Sequence, residues 1–79
     1  MLPSMNDKEL EQAFYEEKRS ELLPFVINDP VEVVSGPHKG KGAAVISIYS
    51  VEPELTYLIE FGDGSGDLEI EAKLLRLMS

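Results

Sequence analysis

Hydrophobic positions change their period along this chain. Leu10, Ala13 and Phe14 stand at i, i+3 and i+4, the spacing of one helix face, and Glu17 and Glu21 continue that face as charge. Ser4, with Asp7 three residues on, reads as a capped start to a helix running through Lys8 to Arg19, with an acidic first turn and a basic last turn that suit the helix dipole. The apolar stripe is short, so the helix is expected to lie on its neighbours by its middle only. Pro24 ends any helix before it, and Leu22 to Ile27 reads as an extended crossover covering one end of the core. From there the period becomes two. Asn28-Asp29-Pro30 is a turn, Val31 to Val34 a strand, Gly36 to Gly40 a second turn and Ala43 to Ser50 a longer strand. Val51-Glu52-Pro53-Glu54 breaks the pattern before Leu55 to Phe61, rich in strong strand formers. Gly62 to Asp67 can only be a loop, which makes its flanks the arms of a hairpin. Leu68-Glu69-Ile70-Glu71 alternates apolar in and acidic out, Ala72-Lys73-Leu74 forms a single tight turn, and Leu75-Arg76-Leu77 is a last short strand. The fold class expected is mainly β: a small five-stranded, strongly bent antiparallel barrel with an N-terminal α-helix. Residues 1–27 form the helix and crossover, and residues 28–79 the barrel.

Composition narrows the chemistry. With 79 residues the chain is one domain, and a chain of this size buries only roughly 60% of its unfolded surface, leaving little room for a large cleft. It has no cysteine, so disulfides, thiolate chemistry and cysteine-based zinc sites are excluded, and His38 is its only histidine. No apolar run approaches the roughly 18 residues of a membrane span. Met1 to Asp7 has neither the basic region nor the apolar core of a signal peptide, so a cytoplasmic location is expected. The net charge is −8, from 15 acidic and 7 basic side chains. Such a surface repels a phosphate backbone and favours a basic protein as partner.

The order of strand, Gly-Pro-His-Lys-Gly-Lys turn and strand resembles the KOW motif of SH3-like barrels, as found in ribosomal large-subunit proteins and transcription elongation factors. The matching residues are Val31, Val33, Gly36, Pro37, Gly40, Val45 and Ile48, and through strand order the resemblance extends over residues 31–77. Ala43 stands where the motif usually has glycine, with Gly42 one place earlier. Tyr57 to Gly64 is also similar to the third strand and following loop of Tudor- and KOW-type barrels. The resemblance implies an SH3-like barrel whose turn glycines take positive φ and whose valines fill the interior. It implies no single activity, because such barrels carry many unrelated binding roles.

Two surfaces are candidates. One is acidic: Glu60, Asp63, Asp67, Glu69 and Glu71, where Glu69 and Glu71, spaced by two, leave the same strand face, with Glu60 on the paired strand beside them. The other is the turn His38, Lys39 and Lys41, where freed backbone amides and two lysines could hold a phosphate of RNA. An aromatic cage from Tyr49, Tyr57 and Phe61 is a minor alternative, as Tyr57, Ile59 and Phe61 share a face that reads as core. Asp63 to Asp67 has calcium-loop chemistry in miniature, without the alternating oxygens or distant glutamate that a calcium loop needs. No nucleophile and base at recognisable spacing and no cofactor fingerprint are present, so neither enzyme activity nor a cofactor or metal is expected. The function expected is a non-catalytic binding module meeting a basic protein through its acidic barrel face, for which an immunity protein against a basic nuclease-like toxin is one concrete case. The alternatives are a KOW-type RNA-binding accessory protein of the ribosome or transcription machinery, and a structural barrel that self-associates through Leu22 to Ile27.

Overall fold

The structure, a computed structural model, describes residues 7–78. Its strands are β1 (Pro30–Val33), β2 (Gly42–Ser50), β3 (Thr56–Phe61), β4 (Asp67–Glu71) and β5 (Leu75–Leu77), with a 3-10 turn over Ala72–Leu74. They form one antiparallel five-stranded sheet in the order β4-β3-β2-β1-β5. The mainly-β class, the five strands and the N-terminal helix are as the sequence predicts. The ladder does not close: β4 and β5 remain its two edges, so the expected barrel is a bent open sheet among the described residues.

Alternation decides which face is inside. Val31 and Val33 of β1, Ala43 and Val45 of β2, Tyr57, Ile59 and Phe61 of β3, Ile70 of β4 and Leu75 of β5 are all buried in one cluster. In β2 the register against β3 shifts between Val45 and Ser47 and again between Ile48 and Ser50. Such bulges bend a strand and increase its twist, which lets one nine-residue strand wrap two sides of a small core. The β1–β2 turn depends on Gly36 and Gly40, at φ +88° and +91°, a region that costs glycine little. Gly40 N–H returns to Val33 C=O at 2.8 Å and Val33 N–H reaches Lys41 C=O at 3.0 Å, closing the loop.

The N-terminal part departs from expectation in one respect. Helix α1 spans Asp7–Tyr15, stopping short of Lys18 and Arg19, and its last turn holds no basic residue. Glu17 takes φ +59°, while Lys18 N–H bonds Ala13 C=O at 2.9 Å and Glu17 N–H bonds Phe14 C=O at 3.3 Å. This is the Schellman ending, with glutamate in the left-handed position that glycine usually fills, so no glycine announces it. The expected dipole match of Lys18 and Arg19 is therefore absent. The proposed cap, Ser4, lies outside the described residues. Leu10 and Phe14 are buried and Ala13 half-buried, as the short stripe requires.

Leu23, Phe25 and Val26 of the crossover are buried in the same cluster, leaving Leu22 as the exposed large apolar residue of that segment. The stretch considered for self-association is thus turned mostly inward. Its anchor is Asp29, buried at 3% exposure. Asp29 accepts Val26 N–H at 2.8 Å and Arg19 Nε at 3.0 Å, and a second Arg19 nitrogen binds its other oxygen. Backbone bonds from Asn28 N–H to Val45 C=O (2.8 Å) and from Val45 N–H to Asp29 C=O (3.0 Å) fasten this corner to β2. Asp29→Ala strands the Val26 amide and removes the partner of Arg19, so a loss of about 2 kcal/mol is expected in urea unfolding. Asp29→Asn, which keeps an acceptor oxygen, should lose less; an equal loss for both would show that the charge, not the acceptor, holds the corner.

Candidate functional site

The β3–β4 register sets Glu60 opposite Asp67, Leu58 opposite Glu69 and Thr56 opposite Glu71. Since Tyr57, Ile59 and Ile70 point into the core, these residues occupy the outer face of the hairpin, as expected for Glu69 and Glu71. Glu60, Asp67 and Glu69 are exposed, and none of the three has an ion-pair partner among the described residues. Glu60 and Asp67 stand directly across the ladder, an arrangement of like charges that mildly destabilises a sheet. Glu71 is half-buried and paired with Lys73 at 3.1 Å. Tyr49 of β2, 62% exposed, hydrogen-bonds the Glu69 carboxylate, and that acceptor with its negative charge pushes the phenol pKa above the ordinary tyrosine range.

Asp63 goes elsewhere. In the β3–β4 loop its carboxylate accepts Ser65 N–H at 2.9 Å and lies 3.5 Å from Lys41 Nζ. Hydrogen bonds from Ser65, aided by Lys41, hold its carboxyl below the usual range. Lys41 Nζ also sits 5.0 Å from the centre of the Phe61 ring, and the His38 ring lies 5.2 Å from the same ring, tilted by 33°. The two predicted surfaces therefore touch: Asp63 and Lys41 join the acidic hairpin loop to the basic turn. Of the turn's cations, Lys39 is exposed and has no ion-pair partner among the described residues. Arg76 of β5, the neighbouring cation, is bound to Glu32 of β1, with Nε at 2.7 Å. A shallow open depression lined by Lys41, Ala44, Glu60, Phe61 and Met78 runs along this end of the sheet.

The aromatic-cage alternative is overturned. Tyr57 is fully buried, with its hydroxyl donating to Phe25 C=O at 2.6 Å and accepting Phe25 N–H at 3.1 Å, and Phe61 is also buried, so Tyr49 alone of the three is exposed. Among the described residues no group of three or more acidic or histidine side chains is placed to hold a metal ion, the Asp63 to Asp67 loop included. Sequence reasoning missed Asp29 and the Tyr49–Glu69 bond. The first carried a faint signal, a single aspartate between two β-branched apolar runs; the second depends on the bulged register of β2 and has none.

No helix among the described residues is long and apolar enough to cross a membrane. Comparison of the chain with protein-family profiles, curated proteins and solved structures gives no significant match.

Proposed function

We propose that this chain is a non-catalytic SH3-like binding module that takes a basic protein on the outer face of the β3–β4 hairpin. The observation that carries the reading is the uncompensated charge of Glu60, Asp67 and Glu69 on one strand pair, in a chain of net charge −8. Carboxylates left unpaired and opposed across a ladder give up some stability of the free protein, and a cationic partner returns it. The KOW-like reading of the centre is supported by Gly36 and Gly40 at positive φ and by Val31, Val33 and Val45 packed inside. A small inhibitor that covers the cationic surface of a nucleic-acid-processing protein is the concrete form of this proposal, with carboxylates standing where phosphates would otherwise bind.

The Glu69→Lys/Glu71→Lys double variant tests it. Both side chains leave the outer face, but Glu71→Lys also breaks the pair with Lys73, so retention of the fold is checked by circular dichroism and by the Glu69→Lys single variant, which touches no ion pair among the described residues. Partners captured on the immobilised wild-type chain are expected to be basic, to be released as salt shortens the Debye length from about 10 Å at 0.1 M towards about 3 Å at 1 M, and to be lost from the double variant. Capture unaffected by the reversal refutes the proposal, as does selective retention of RNA at low salt.

A further inference from the structure

The acidic residues of β4 are also the residues whose backbone faces away from β3. Phe61 N–H donates to Gly66 C=O at 3.0 Å and Ala72 N–H to Leu55 C=O at 2.9 Å, on the same register that pairs Ile59 with Leu68 and Tyr57 with Ile70. In an antiparallel ladder, hydrogen-bonded and non-bonded pairs alternate. Leu68 and Ile70 therefore direct their N–H and C=O groups to β3, while those of Asp67, Glu69 and Glu71 point away from the sheet. The Glu71 C=O is taken by the 3-10 turn, of which Glu71 is the N-cap, and among the described residues the outward groups of Asp67 and Glu69 and the Glu71 N–H make no other backbone–backbone hydrogen bond.

From this juxtaposition, and resting on the acidic-face reading above, we propose that β4 is a docking edge for an extended partner segment of alternating basic and apolar residues, added antiparallel as a sixth strand. A strand laid against β4 would present side chains alternately beside the outer carboxylates and beside Leu68 and Ile70 on the inner face, where Leu68 is only half-buried. The first set must be cationic and the second apolar. Antiparallel addition sets each basic residue directly opposite one acidic residue, with both of its backbone bonds made to that residue at Asp67 and Glu69, while Glu71, its C=O held by the 3-10 turn, offers its N–H. The same charges reject the other obvious occupant: a second copy pairing β4 to β4 would bring Asp67, Glu69 and Glu71 against their own kind, the device by which edge strands avoid self-association. The opposite edge offers less, since β5 has three residues, and Leu77 and Met78 beyond Arg76 are apolar and exposed.

The test uses the full chain, isotope-labelled, and an end-capped seven-residue peptide alternating lysine and valine. With peptide in excess at about ten times its Kd, amide exchange at Asp67, Glu69 and Glu71 is expected to slow by about tenfold. Peptide N-methylated on its lysine amides, which would face β4, should lose this protection and most of its affinity. Peptide methylated on its valine amides should keep both. Equal binding by the two methylated peptides would overturn edge docking while leaving the acidic face as a charge-only surface. Failure of the unmodified peptide to protect these amides would also overturn it, whereas the acidic-face reading stands or falls separately on the Glu69→Lys/Glu71→Lys capture.

Discussion

Replacing Phe14 with alanine is expected to lower the stability of this protein by about 3–5 kcal/mol, the range for removing a buried aromatic ring from a packed core. Phe14 is fully buried and its ring stacks on Tyr57 at 6.1 Å between centroids, while its backbone C=O accepts Ile27 N–H at 3.3 Å. A nine-residue helix is too short to persist in water by itself, so α1 depends on what it buries, chiefly Leu10 and Phe14. At about 0.05–0.15 kcal/mol per residue, a chain of 79 residues holds roughly 4–12 kcal/mol in all, and losing this ring removes a large share of it. The urea midpoint of Phe14→Ala should fall well below that of wild type, and at the low end of the range the variant should be substantially unfolded at room temperature. A loss under about 1 kcal/mol would mean that the helix is not docked in solution, because no buried aromatic site is that forgiving.

The contrast between what the sequence announces and what it conceals runs along a physical line. Period-two alternation and turn residues are local, so β3, β4, the 3-10 turn and β5 can be read to within a residue: Leu68-Glu69-Ile70-Glu71 could face only one way once its apolar pair found the core. The outward direction of Glu69 and Glu71 follows from that same parity. Features that depend on tertiary register are hidden. Glu17 in a left-handed conformation cannot be foreseen without the contacts that hold Phe14 down, and that is why α1 ends before Lys18 and Arg19. Arg19 then meets Asp29 ten residues away, and Lys41 meets Asp63 from the adjacent hairpin loop. Neither pair has a sequence pattern. The assignment of Asp63 to the acidic set and Lys41 to the basic set treated as separate two groups that the fold brings within 3.5 Å. Closure of the sheet is hidden for the same reason: five strands of this length are compatible with a closed ladder or an open one, and the difference lies in whether β4 and β5 meet.

Tyr57→Phe should cost about 3 kcal/mol near neutral pH, although it removes one oxygen atom and leaves the ring in place. That oxygen satisfies both the N–H and the C=O of Phe25, at 3.1 and 2.6 Å, and each buried backbone group left without a partner costs about 1–3 kcal/mol. The pH dependence separates this account from simple loss of packing. Burial, reinforced by the negative charge of Asp29, pushes the Tyr57 pKa from 10 to about 12, against the opposing effect of the Phe25 backbone bond. A phenol with a raised folded pKa stays protonated in the native state while the unfolded chain ionises. Its contribution is therefore complete below pH 10 and is lost as pH climbs to about 12, amounting to about 2–3 kcal/mol over that window. Every other ionisable side chain is common to both proteins and drops out of the comparison. The stability gap between wild type and Tyr57→Phe, followed by urea unfolding, should accordingly be constant from pH 7 to 9 and then narrow steeply. A gap that stays open to pH 12 would mean that the Tyr57 hydroxyl is solvated, and with it that the bridge from β3 to the crossover, on which the placement of α1 rests, is not made.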